Sequence, residues 1–74
     1  MKANNKEKIL HFIGWDFWDR PVYKDDLGNL WKDVNPRKDS PAELYDADEF
    51  DSEPGWPIEA GIQVKFDPQR MLWN

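Results

Sequence analysis

Apolar and polar positions alternate most regularly in three short stretches of this chain. Ile9, His11, Ile13, Trp15 and Phe17 share one parity, with Leu10 and Phe12 on the other. Period-2 alternation with β-branched and aromatic residues predicts a strand over about 9–13. Asn4 or Asn5 offers the competing start of a short helix over 5–13, the less favoured of the two readings. Gly14 then breaks or bulges the strand. Residues 20–24 and 30–34 read as two further strands with residues 25–29 between them. Five intervening residues with a late glycine predict a hairpin closed by a type I turn and a left-handed Gly28. Asp26 is the expected side-chain acceptor in that turn. Pro21, which has no N–H to donate, suits a strand start or an edge. Ile62, Val64 and Phe66 share one face of a last strand that Asp67-Pro68 stops.

The connecting stretches are polar and turn-rich. Residues 1–8 are expected to fray, and residues 35–41 form a polar loop. Ser40, Pro41 and Glu43 resemble a helix start, so a single helical turn over 41–45 is expected. A second turn can begin at residues 46–49. Pro54-Gly55 predicts a type II turn with positive φ at Gly55. Met71-Leu72-Trp73 either packs back on the core or forms an apolar tail. The expected fold is therefore α+β and mainly β, one domain over residues 1–74. It has a small antiparallel sheet of three to four strands, a central hairpin at about 20–34, and at most one or two helical turns.

Composition narrows the function. Seventy-four residues without cysteine support a small core with no disulfide or thiolate staple. Aromatic residues make up 15% of the chain and compensate, since each buried ring removes roughly 150–250 Å² from water. Residues 1–24 carry five basic and three acidic side chains, and residues 25–74 carry five and twelve. The net charge of −5 disfavours direct binding to a phosphate backbone. No apolar run is long enough for a signal peptide or membrane span, so a cytoplasmic protein, monomeric or weakly oligomeric, is expected.

Catalytic chemistry finds little material. Threonine is absent, Ser40 and Ser52 are the only serines, and His11 is the only histidine. A packed or surface His11 is favoured over a nucleophile's base. Six acids lie between Glu43 and Glu53 without a base among them. They do not follow the calcium-loop spacing, because Asp51 and Pro57 stand where that loop needs glycine and a carboxylate. A solvated acidic face is the plainer reading. Carboxylate pairs of the glycosidase kind carry no specificity in a chain with fifteen acids. No catalytic, cofactor or metal residue is expected. The aromatics are too numerous for the core to hide them all, which favours an exposed protein-binding patch. Trp18, Trp56 and Trp73, each at a predicted loop or terminus, are its candidates, with Asp46, Asp48 and Asp51 as acidic partners.

The run DFWDRPVYKDDLGNLWKDVN, a polar loop, and then EFDSEPGWPI resemble the large polyvalent protein-associated domain, number twenty-eight of that series. The marks are the Arg-Pro-Val-Tyr-Lys strand, the glycine-containing turn, the aromatic-Lys-Asp second strand and a late Glu-Pro before Pro-Ile. They cover about Asp16 to Ile58. Ser52 and Gly55 depart from the usual turn residues, so the turn at 53–57 is expected to have its own geometry. The resemblance implies an origin in phages, conjugative elements or their hosts, and implies no catalytic residue. The leading expectation is thus a non-enzymatic protein-binding module from a mobile element. The alternatives are an acidic DNA-mimicking inhibitor of a host defence or nucleic-acid enzyme and, last, a small metal-dependent hydrolase.

Overall fold

Leu10 and Phe12 are the inward residues of the first strand, and the sheet is arranged to cover them. In the computed structural model, which describes residues 7–73, β1 spans Glu7–Trp15. It is a strand throughout, so the helix alternative over 5–13 is not adopted by residues 7–13. Of the stretch 1–8 expected to fray, residues 1–6 lie outside the described residues, whereas Glu7 and Lys8 open β1. Four more strands follow: β2 at Pro21–Lys24, β3 at Leu30–Asp33, β4 at Leu44–Ala47 and β5 at Gln63–Asp67. The spatial order is β4-β3-β2-β1-β5.

Two features of the expected fold need correction. The sheet has five strands rather than three or four, and it is mixed rather than antiparallel. Strands β1 to β4 form an antiparallel meander, with residues 16–20, 25–29 and 34–43 as its connections. Residues 48–62 then carry the chain to the far edge, where β5 lies parallel to β1, Leu10 beside Phe66. Period-2 patterning identifies a strand but carries no direction. The expected helical turns are also absent among the described residues. Leu44 and Tyr45 pair with Asp33 and Lys32 instead, and the Glu43 N–H donates to the Asp33 carboxylate at 3.0 Å. That acceptor comes from ten residues away, and it outcompetes the local cap pattern at Ser40.

The hairpin forms as its turn chemistry dictates. Gly28 takes φ +89° and its N–H donates to the Asp25 carbonyl at 3.0 Å. The side-chain acceptor is Asp25 rather than Asp26: Asp25 Oδ1 receives the N–H groups of Leu27 and Asn29. Pro21 is the first residue of β2, opposite Trp15. The register of β1 slips between Phe12 and Gly14, so Gly14 does sit at a bulge. Gly14 has φ +147°, and a Cβ there would lie 2.9 Å from the Phe50 ring. Gly55 does not take positive φ, contrary to expectation. A Cβ there would collide with Asp46 Oδ1 and displace that side chain from the Trp56 N–H.

Leu10, Tyr23 and Leu44 form the centre of the core, with Phe12, Trp31, Val64, Phe66 and Met71 packed around them. The Tyr23 ring stands edge-on to Phe12 at 5.9 Å and tilted to Phe66 at 5.0 Å. Its hydroxyl accepts the Met71 N–H at 2.8 Å. The C-terminal segment therefore packs back over the sheet, and the Trp73 N–H reaches the Pro36 carbonyl at 2.8 Å. At the other edge, Ile58 and Gly55 bond to Leu44 and Asp46, so residues 55–58 cover β4.

Candidate functional site

Three buried aspartates each hold one loop of the sheet. Asp16 organises residues 16–20. Its Oδ1 accepts the N–H groups of Trp18 and Arg20, and its Oδ2 receives Arg20 Nε at 3.1 Å and Lys32 Nζ at 2.8 Å. Burial pushes this carboxyl up, but the Lys32 and Arg20 hydrogen bonds outweigh it and hold it below the usual carboxylate range. Asp25 holds the hairpin turn and also accepts from Trp31 Nε1 and Lys8 Nζ. Burial opposes its ionisation too, yet the Trp31, Asn29, Lys8 and Leu27 donors bring it down to about 2. Asp33 accepts from the Asn35 and Glu43 backbones and from Arg70 Nε. Lys32 is itself fully buried and donates a second, short hydrogen bond to the Ser52 carbonyl.

This scaffold fixes an aromatic end on the molecule. Within the loop that Asp16 shapes, Asp19 adopts φ +66°, a region aspartate tolerates. Phe17 and Trp18 project from it as an edge-to-face pair with centroids 5.5 Å apart, 83% and 46% exposed. The Arg20 guanidinium lies 4.9 Å from the Trp18 ring centroid. Its Nη2 is the one buried side-chain polar atom without a hydrogen bond among the described residues, and the indole face offsets part of that loss. Trp73 approaches the same loop from the C-terminal segment, and its indole Nε1–H donates to the Asp19 carbonyl at 2.7 Å.

Leu72 and Trp73 separate two open grooves. One, of about 290 Å³, is lined by Trp15, Asp19, Leu72 and Trp73. The other, of about 640 Å³, is lined by Arg37, Lys38, Asp39, Leu72 and Trp73. Arg70 ties the main chain of the loop that carries Arg37 and Lys38: Nη1 donates to the Ser40 carbonyl and Nη2 to the Asn35 and Arg37 carbonyls.

The residues singled out from the sequence divide into two groups. Trp18 and Trp73 meet at the loop 16–20, and Asp51 joins it by accepting the Phe17 N–H at 2.9 Å. Trp56 is 79% exposed but lies on the covered edge of β4, where its N–H donates to Asp46 Oδ1 at 2.8 Å. Asp46 and Asp51 thus each accept a backbone N–H, Asp46 half-buried and Asp51 exposed, and Asp48 is exposed as well. The grooves' other residues, Trp15, Leu72, Arg37 and Lys38, escaped notice as site residues. The only hint was a basic pair beside Pro36 in the acidic part of the chain.

His11 lies elsewhere, between two carboxylates. Its Nε2 is 2.8 Å from Asp26 and its Nδ1 2.8 Å from Asp67. The hydrogen bonds to Asp26 and then Asp67 raise its pKa above 6.5. The two carboxylates sit on opposite sides of the ring, and no group of three or more potential metal ligands gathers among the described residues.

No family model, curated protein or solved structure matches the chain. No helix among the described residues is long and apolar enough to cross a membrane.

Proposed function

We propose that the chain is a non-enzymatic protein-binding module whose docking surface is the aromatic end formed by residues 16–20 and 72–73. One observation carries the reading. Trp73 is held at both its backbone and its indole nitrogen, yet 39% of it stays exposed beside two grooves. An aromatic ring immobilised before contact loses little conformational entropy on binding, which suits it as an anchor. Phe17 and Trp18, on the loop that Trp73 grips, extend the same surface. A cytoplasmic setting belongs to this proposal. An origin in a phage or conjugative element belongs to it as well, supported by the resemblance over Asp16–Ile58 alone.

The acidic-mimic reading draws less from the geometry, because Asp46 and Asp51 are already committed to the backbone N–H groups of Trp56 and Phe17. The hydrolase reading draws less again, with His11 clamped on both nitrogens. The test of the main reading is photo-cross-linking in the organism that encodes the chain. A photoreactive residue at position 72 is compared with one at position 49, on the acidic strip. A discrete protein adduct from position 72 alone supports it. Adducts from position 49 alone, or from neither, count against it.

A further inference from the structure

The partner's chemistry can be taken one step further, on the strength of the docking reading above. Among the described residues, most cations are matched to a carboxylate: Lys8 to Asp25, Arg20 and Lys32 to Asp16, Lys65 to Glu7, and Arg70 to Asp33. Lys24, Arg37 and Lys38 have no ion pair there, and two of these three line the larger groove. Two of the three unmatched cations among the described residues of this acidic chain therefore stand beside its immobilised indole. The main chain beneath the pair is fixed by Arg70 and by the Trp73 N–H on Pro36, while the two charged side chains stay free and exposed.

We infer that the groove takes an acidic segment of the partner protein, an extended stretch carrying carboxylates on either side of one bulky apolar side chain. The carboxylates pair with Arg37 and Lys38, and the apolar side chain packs between Leu72 and Trp73. Arginine suits such a role because its planar fork meets a carboxylate with two parallel hydrogen bonds. A single-stranded nucleic acid would also find an aromatic face and two cations. It carries a phosphate at every nucleotide and so sets charge against Asp39 and the chain's net charge of −5 along its whole length, whereas a peptide can confine its carboxylates to the two cations.

The experiment is a titration of the ¹⁵N-labelled full chain at low salt, followed by backbone and indole N–H chemical shifts. The probes are a capped heptapeptide of aspartate and glutamate on either side of one phenylalanine, its asparagine/glutamine counterpart, and a ten-nucleotide oligothymidine. The acidic peptide is expected to shift the Trp73 indole and the amides of residues 37–39 saturably. R37E/K38E should weaken it by about tenfold or more, and the amide counterpart should bind comparably weakly. K24E, which reverses the third unmatched cation away from the groove, should leave affinity within about twofold. R37Q/K38Q should fall between, which guards against a folding defect in the reversal. Equal binding by the amide peptide, tighter binding by the oligothymidine, or as large a loss in K24E as in R37E/K38E would overturn the inference. A position-72 adduct that survives R37E/K38E would overturn it while leaving the docking reading intact. Absence of any such adduct would sink both.

Discussion

Lys32 Nζ donates to Asp16 Oδ2 at 2.8 Å, and neither side chain has any accessible surface. The pair links β3 to the loop that presents Phe17 and Trp18. Removing Asp16 leaves the buried Lys32 ammonium without a counter-charge, which costs about 3–5 kcal/mol, whereas removing Lys32 leaves Asp16 with Arg20 and costs less. A domain of this size has about that much stability in total. Asp16→Asn should leave much of the population unfolded at neutral pH, and Lys32→Met should lower the urea midpoint by a smaller amount. The double variant should recover part of the Asp16→Asn loss, because the asparagine carbonyl can still accept from Trp18 or Arg20 and the buried ammonium is gone, while Arg20 still lacks its carboxylate. Additive losses in the double variant would show that the pair is not a unit.

Asp25, with Asp16, makes the molecule sensitive to acid. Its carboxyl falls from 3.8 to about 2 on folding, a shift that corresponds to about 2 kcal/mol. A depressed carboxyl stabilises above its unfolded value and loses that stability as pH falls through the folded one. Urea midpoints should therefore decline between about pH 5 and pH 2, with part of the slope removed in Asp25→Asn. That variant should also be weaker at pH 7, because the Lys8 ammonium and the turn N–H groups lose a charged acceptor.

His11 acts in the opposite direction. Both ring nitrogens face carboxylates, Asp26 on the hairpin turn and Asp67 on β5, and Lys24 is its neighbour across β2. The imidazolium donates to both acids, whereas the neutral ring can donate to only one. With the folded pKa raised, this stabilisation is complete below pH 6.5 and is lost as pH rises through the folded value. The thermal midpoint should drop on passing from about pH 6 to above pH 8, and His11→Phe should flatten that step. Imidazole ¹⁵N shifts that titrate at or below 6.5 would contradict the assignment.

Gly14 is the point where β1 turns from the main core to the cover provided by Phe50. Its φ of +147° and the nearby Phe50 ring both penalise a side chain. Gly14→Ala should cost about 1–3 kcal/mol in urea unfolding. Pairing it with Phe50→Leu should return part of the steric share but not the backbone share.

The hairpin was legible in the sequence because its determinants are local: five turn residues, with Gly28 late among them. Gly14 and β5 were legible for the same reason. The fourth strand was not, since Ser40, Pro41 and Glu43 satisfy a helix-start pattern whose competitor, Asp33, lies ten residues upstream. The parallel placement of β5 escaped because alternation has no polarity. Trp18 and Trp73 could be proposed from their position near predicted loops. Arg37 and Lys38 could not, because an unmatched cation is defined by which acids other cations have taken. Those pairings, such as Arg70 with Asp33 and Lys32 with Asp16, are set by the tertiary fold.

The most direct measurement is the cross-linking comparison between positions 72 and 49, carried out in the native cell with Trp73→Ala alongside. The account predicts one discrete protein adduct from position 72, lost in Trp73→Ala, and none from position 49. An adduct confined to position 49, or one at position 72 that persists unchanged without the Trp73 indole, would contradict it.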